Sequence, residues 1–146
     1  MKFYDSYTFK DKGESVVKVK HRGKIYIGKA QLHPEDSWSE FTGARYAEIR
    51  AEISALKDEY KQKKHDCEEC KKFTIAVSQY ANFDKASPSA RAMYRQLNRR
   101  IKEVNNIAIE INRKELSLKF AISQQNKLIE KFLKKYSQAK EDNNNY

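Results

Sequence analysis

Long apolar runs, a cysteine framework and the familiar catalytic signatures are all missing from this chain. No stretch approaches the roughly 18 consecutive apolar residues of a bilayer-spanning helix. The opening Met1-Lys2-Phe3-Tyr4-Asp5 lacks the apolar region of a signal peptide, so a cytoplasmic protein with no membrane partner is expected. Only two cysteines occur, spaced Cys67-Glu68-Glu69-Cys70, and in a reducing compartment they remain thiols. No βαβ pattern surrounds them, which argues against thioredoxin-type redox chemistry. A zinc site would need two further ligands where His65 is the only local candidate, so a complete site would require a second chain. His33 beside Glu35 and Asp36 invites a catalytic reading, but acidic residues at a helix start are ordinary cap chemistry. With no triad, no paired carboxylates in a plausible cleft, no complete metal site and no phosphate loop, the expectation is a noncatalytic protein without a cofactor.

What the chain has instead is positive charge. Its 146 residues, of which 34% are charged, carry a formal net charge of +10. By length they make a single domain (1–146) able to form a core. The charge is uneven, about +1 over residues 1–60 and +9 over 61–146. An acidic partner would meet the second half, and nucleic acid, a nucleotide or an anionic surface would each fit.

Residues 1–32 read as strands. Val16-Val17-Lys18-Val19-Lys20 and Lys24-Ile25-Tyr26-Ile27-Gly28 flank the tight turn His21-Arg22-Gly23, a hairpin signal, and Tyr4 to Phe9 offers a third strand. So small a sheet must pack on helices or on another subunit. A first helix is expected over about 39–80, starting at Ser39 or Gly43. Its seam of Tyr46, Ile49, Ile53, Leu56 and Tyr60 continues in register onto Lys63, Cys67, Cys70 and Val77, which places both cysteines on the buried side. Ala81 to Pro88 is the one convincing turn, with Ser87 as cap and Pro88 at the first helical position. The second helix, over about 89–136, carries Tyr94, Leu97, Ile101, Val104, Ala108, Ile111, Leu118, Ile122, Ile129 and Phe132 at coiled-coil spacing, interrupted by Glu115 and Gln125. Residues 139–146 read as a frayed tail. The predicted fold is therefore α+β: a small N-terminal antiparallel β-sheet followed by a long, coiled-coil-like antiparallel helical hairpin.

Two stripes on the second helix draw notice. Arg91, Asn98, Asn105, Asn112, Lys119 and Asn126 recur every seven residues beside the seam, although Asn is a mediocre helix former. Arg91, Arg95 and Arg99 recur every four, so three guanidinium groups share a face and repel one another. Either they are solvated surface arginines or they meet an anion, for which the planar guanidinium fork is suited. Aromatic and amide groups lie just upstream, in Phe73, Tyr80, Asn82 and Phe83.

The Leu32-His33-Pro34-Glu35-Asp36 junction, the Phe41-Thr42-Gly43-Ala44-Arg45-Tyr46-Ala47-Glu48-Ile49-Arg50-Ala51-Glu52-Ile53 helix start and the Tyr94-Arg95-Gln96-Leu97-Asn98-Arg99-Arg100 block complete a pattern over residues 15–115. It resembles the phage Thoeris anti-defence sponge proteins, in which an antiparallel sheet precedes two long helices. The resemblance implies an oligomer, from dimer to hexamer. It implies a cyclic ADP-ribose isomer or a cyclic oligonucleotide as ligand, held without cleavage in the host cytoplasm during infection. It also implies an arginine pair one turn apart on the pyrophosphate, best matched by Arg95 and Arg99 with Arg91 in support. An aromatic ring would stack on the base, Phe73 or Phe83, with Asn82 or Asn98 at the base edge and Arg113 as a further candidate.

Two other readings compete. A basic helical hairpin could bind nucleic acid or a host protein through Lys127, Lys131, Lys134 and Lys135, although Glu103, Glu110, Glu115 and Glu130 dilute that surface. A ligand-free coiled-coil subunit would explain the heptads and leave the asparagines only a register role.

Overall fold

The computed structural model describes residues 1–9, 13–31 and 39–144. Three strands, β1 (Lys2–Phe9), β2 (Glu14–His21) and β3 (Lys24–Gln31), form an antiparallel sheet in the order β1-β2-β3. Two helices follow, α1 (Ser39–Ser78) and α2 (Pro88–Asn144). The architecture is α+β, as the sequence pattern predicts. The chain forms two compact units, Met1–Asn112 and Arg113–Tyr146. The Leu32 to Asp36 junction, His33 included, lies outside the described residues.

The β2–β3 hairpin closes through Arg22 and Gly23, both at positive φ (53° and 77°), the backbone a two-residue turn needs to match strand twist. β1 pairs with β2, with a register irregularity between Phe3 and Asp5. Pairing sets Val17 opposite Gly28, Val19 opposite Tyr26 and Ser15 opposite Ala30, so these residues share one face of the sheet. Ser15, Val17, Val19 and Ala30 are all buried on that face.

What covers the face is the first half of α1, and the contact is made by small residues. Gly43, Ala47, Ala51 and Ala55 recur every four residues and are all buried, a smooth ridge that lets the helix backbone sit down on the sheet. The approach is closest at Gly28, where a Cβ would lie 1.8 Å from the Ala47 carbonyl oxygen and 2.5 Å from the Ala51 amide nitrogen. Tyr46, Ile53 and Leu56 complete the core.

Polar contacts fix the register of helix on hairpin. Arg50 Nη1 donates to the Lys29 carbonyl at 2.7 Å, His21 Nε2 lies 2.7 Å from Glu59 Oε2, and the Tyr26 hydroxyl donates to Asp58 Oδ2 at 2.5 Å, with Lys24 Nζ 3.7 Å from the same oxygen. The Tyr26 hydrogen bond, followed by Lys24, holds the Asp58 carboxyl below its ordinary range, and the Asp58 carboxylate in turn raises the Tyr26 phenol. The two shifts have opposite sign consequences. The depressed Asp58 adds stability at pH above its unfolded value of 3.8 and loses it as pH falls through the lower folded value. The raised Tyr26 adds stability below 10.0 and loses it as pH climbs through the higher folded value. Tyr26→Phe is therefore expected to lower the thermal midpoint slightly at neutral pH and to flatten both the acidic and the alkaline limbs of its pH dependence, checked by melting curves from pH 3 to 11. Unchanged limbs would show that the hydroxyl contributes nothing to folding.

After α1 the chain turns through residues 79–87. Asp84 Oδ1 accepts from the Ala86 amide at 2.9 Å, and the Ser87 hydroxyl accepts from the Ala90 amide at 3.2 Å, so Ser87 caps α2 with Pro88 at its first turn, as predicted. Lys63 of α1 pairs with Glu103 of α2 at 3.7 Å. Nearer the turn, Cys70, Phe73 and Val77 share a cavity with Gln96, Met93 and Ala90. Over residues 90–103 α2 thus runs back along the second half of α1, and within the first unit the pair is an antiparallel hairpin.

Three expectations differ from what is found. The frayed tail expected from residue 139 is helical as far as Asn144. Cys67 and Cys70 are half-buried rather than buried, because the hairpin partner covers only part of that side of α1. The α2 seam is half-buried at most of its described positions, with Ile101 39% exposed. In the second unit Leu116, Phe120, Leu128 and Phe132 are 57–68% exposed.

Candidate functional site: an aromatic cavity beside a guanidinium face

The closed end of the hairpin holds a cavity of about 560 Å³, within the range that takes a small organic ligand. α1 contributes Cys70, Phe73 and Val77, the turn contributes Asn82, Phe83, Asp84 and Ser87, and α2 contributes Ala90, Met93 and Gln96 among others. The wall is mainly apolar and aromatic, with a few amides and hydroxyls. Phe73 is 64% exposed, so its ring face is free for a planar group. Phe83 is held edge-to-face by Tyr94, centroids 6.4 Å apart and planes at 72°, which fixes its ring orientation. Thr74, buried one residue beyond Phe73, donates its hydroxyl to the Cys70 carbonyl at 2.8 Å and anchors this turn of α1.

A second, shallower concavity of about 380 Å³ is lined by Ala92, Arg95, Gln96 and Arg99. Ala92 and Gln96 line both depressions, so the two adjoin across one turn of α2. Arg95 and Arg99 are exposed, and Arg95 Nε reaches back to the Arg91 carbonyl at 3.4 Å. Neither arginine has an ion-pair partner among the described residues. Two unpaired guanidinium groups bordering a cavity can present several donors to one anion.

The candidates sort accordingly. Phe73, Asn82 and Phe83 come together in the larger cavity, and Arg95 and Arg99 in the smaller. Arg91 and Asn98 are exposed and line neither; Arg91 takes part only through its carbonyl. Arg113 belongs to the second compact unit, where it is exposed. Sequence reasoning missed Met93 and Gln96. Counting back from the turn would have found them, since an antiparallel hairpin sets Met93 near Phe73 and Gln96 near Cys70. Cys67, Cys70 and His65 do not form a metal cluster within the chain: no group of three or more His, Cys, Asp or Glu side chains converges among the described residues. No helix among the described residues is long and apolar enough to cross a membrane.

Comparison with protein-family models, curated proteins and solved structures finds no match to this chain. The functional reading therefore rests on the residues themselves.

Proposed function

We propose that the protein is a noncatalytic binder that sequesters a small anionic nucleotide, of the class of cyclic ADP-ribose isomers or cyclic oligonucleotides, and acts as a phage anti-defence sponge in the host cytoplasm. One observation carries the reading: the aromatic and amide cavity shares Ala92 and Gln96 with the Arg95–Arg99 concavity. A base stacked on Phe73 or Phe83 and read at its edge by Asn82 or Gln96 leaves its phosphates toward the two guanidinium groups. Stacking contributes about 1–3 kcal/mol per base, and charge-assisted hydrogen bonds to phosphate contribute about 1.5–3 kcal/mol each. The exposed apolar residues of the second unit, Leu116, Phe120, Leu128 and Phe132, support assembly as a homo-oligomer.

The test is capture and release. Protein incubated with cyclic ADP-ribose, washed and heated should return the ligand intact in near-stoichiometric amount. A converted product would make the protein an enzyme, and no retained ligand would remove the sponge reading for this messenger. Exposed Lys127, Lys131, Lys134 and Lys135 favour a second reading, nucleic-acid binding. That reading requires a gel shift with DNA or RNA that weakens steeply with salt, and no shift at moderate salt would exclude it.

A further inference from the structure

Farther from the turn, the two helices enclose a third cavity of about 190 Å³, lined by Lys63 and Asp66 of α1 and by Arg99, Arg100 and Glu103 of α2. Three cations face two carboxylates there. Lys63 is paired with Glu103 at 3.7 Å. Among the described residues Arg99 and Arg100 have no ion-pair partner, and Asp66 is exposed, so water screens its charge. The Nε of Arg100 is shut off from solvent and has no acceptor among the described residues. A buried donor on a charged group is costly to leave unmatched, and the cavity beside it is large enough for a tetrahedral oxyanion but not for a nucleobase with its sugar.

We propose that this cleft is a phosphoryl-binding site, with Arg100 as its principal donor, Arg99 and Lys63 in support, and Glu103 as the group that weakens it. It deepens the reading above, because Arg99 borders both this cleft and the Arg95 concavity, but its test does not depend on that reading. The oxyanion is either free phosphate or a second phosphoryl group of the same nucleotide.

Titration with inorganic phosphate at low ionic strength, followed by calorimetry and phosphorus NMR, decides the question. The native protein should bind phosphate. Arg100→Gln should weaken binding by about tenfold or more, the loss of one buried charge-assisted contact. Lys29→Gln should leave it within about twofold, since this exposed cation lies on β3 beside Arg50 and does not line the cleft. Glu103→Gln should strengthen it severalfold by removing a like charge and freeing Lys63, a gain that a misfolded variant would not give. Absence of phosphate binding by the native protein would overturn the proposal and leave a water-filled ionic cleft. Equal binding by native protein and Arg100→Gln, or an equal loss in Lys29→Gln, would do the same. Failure of cyclic ADP-ribose capture with these phosphate results intact would sink only the sponge reading. The source of the phosphate follows from comparing AMP with adenosine 3′,5′-bisphosphate. An advantage of the bisphosphate that disappears in Arg100→Gln assigns both phosphates to one ligand; equal affinities, with AMP binding undisturbed by added phosphate, assign the cleft to the free ion.

Discussion

Gly28→Val should remove a large share of this protein's folding stability. Even the first added carbon would lie 1.8 Å from the Ala47 carbonyl oxygen and 2.5 Å from the Ala51 nitrogen. Both are backbone atoms of α1, so no side-chain rotation relieves the overlap. Overpacking a core ordinarily costs about 1–3 kcal/mol. Here the helix must lift from the sheet, separating Ala47, Ala51 and Ala55, each wholly buried, from β2 and β3. Measured against a typical stability of about 5–15 kcal/mol, a penalty of about 3 kcal/mol or more should lower the thermal midpoint by about 10 °C or more. Gly28→Ala should do nearly as much, because its single carbon already makes the clash. A melting curve of either variant superimposing on the native one would mean that α1 does not approach the sheet this closely. Gly23→Ala provides a contrast: nothing lies within 4 Å of its added carbon, so its smaller cost is that of a positive φ alone.

That ridge also marks where the sequence could and could not be read. Alternation in Val16 to Lys20 and the Arg22-Gly23 turn announce the hairpin, and Ser87-Pro88 announces the start of α2, because each depends on chemistry local in the chain. The helix-to-sheet contact does not. Gly43, Ala47, Ala51 and Ala55 are too small to stand out beside Tyr46, Ile53 and Leu56 in a search for apolar spacing, and their meaning comes from Gly28, which is distant in sequence. The site divides the same way. Phe73, Asn82 and Phe83 lie in or beside the turn and can be grouped by nearness to it, and Arg95 and Arg99 by their four-residue step. Arg91 shares that step, yet it lines neither concavity, since periodicity gives a face of the helix but not how far along it the partner helix reaches. Arg100 escapes a sequence reading for the opposite reason: it lies off the arginine stripe, and only the opposing Lys63 and Asp66 reveal what it faces.

Arg95→Ala combined with Arg99→Ala is the change expected to reduce nucleotide affinity most. Two guanidinium groups that each supply charge-assisted hydrogen bonds to phosphate should together account for about 3–6 kcal/mol, a loss of roughly a hundredfold to ten-thousandfold in Kd for cyclic ADP-ribose by calorimetry. The fold should tolerate it. Both side chains are exposed and without ion-pair partners among the described residues, and alanine is the better helix former, with two repelling charges removed from one face. Helical content and oligomer size should therefore be unchanged or slightly favoured while binding disappears. Phe73→Ala and Phe83→Ala then separate the two stacking candidates. Phe83 is braced by Tyr94, so its loss should also lower stability, whereas removal of the exposed Phe73 should act on binding alone. If the double arginine variant binds as tightly as the native protein, phosphate recognition does not occur on this face of α2. If affinity and helicity fall together, the arginines matter to the fold and the result says nothing for a ligand.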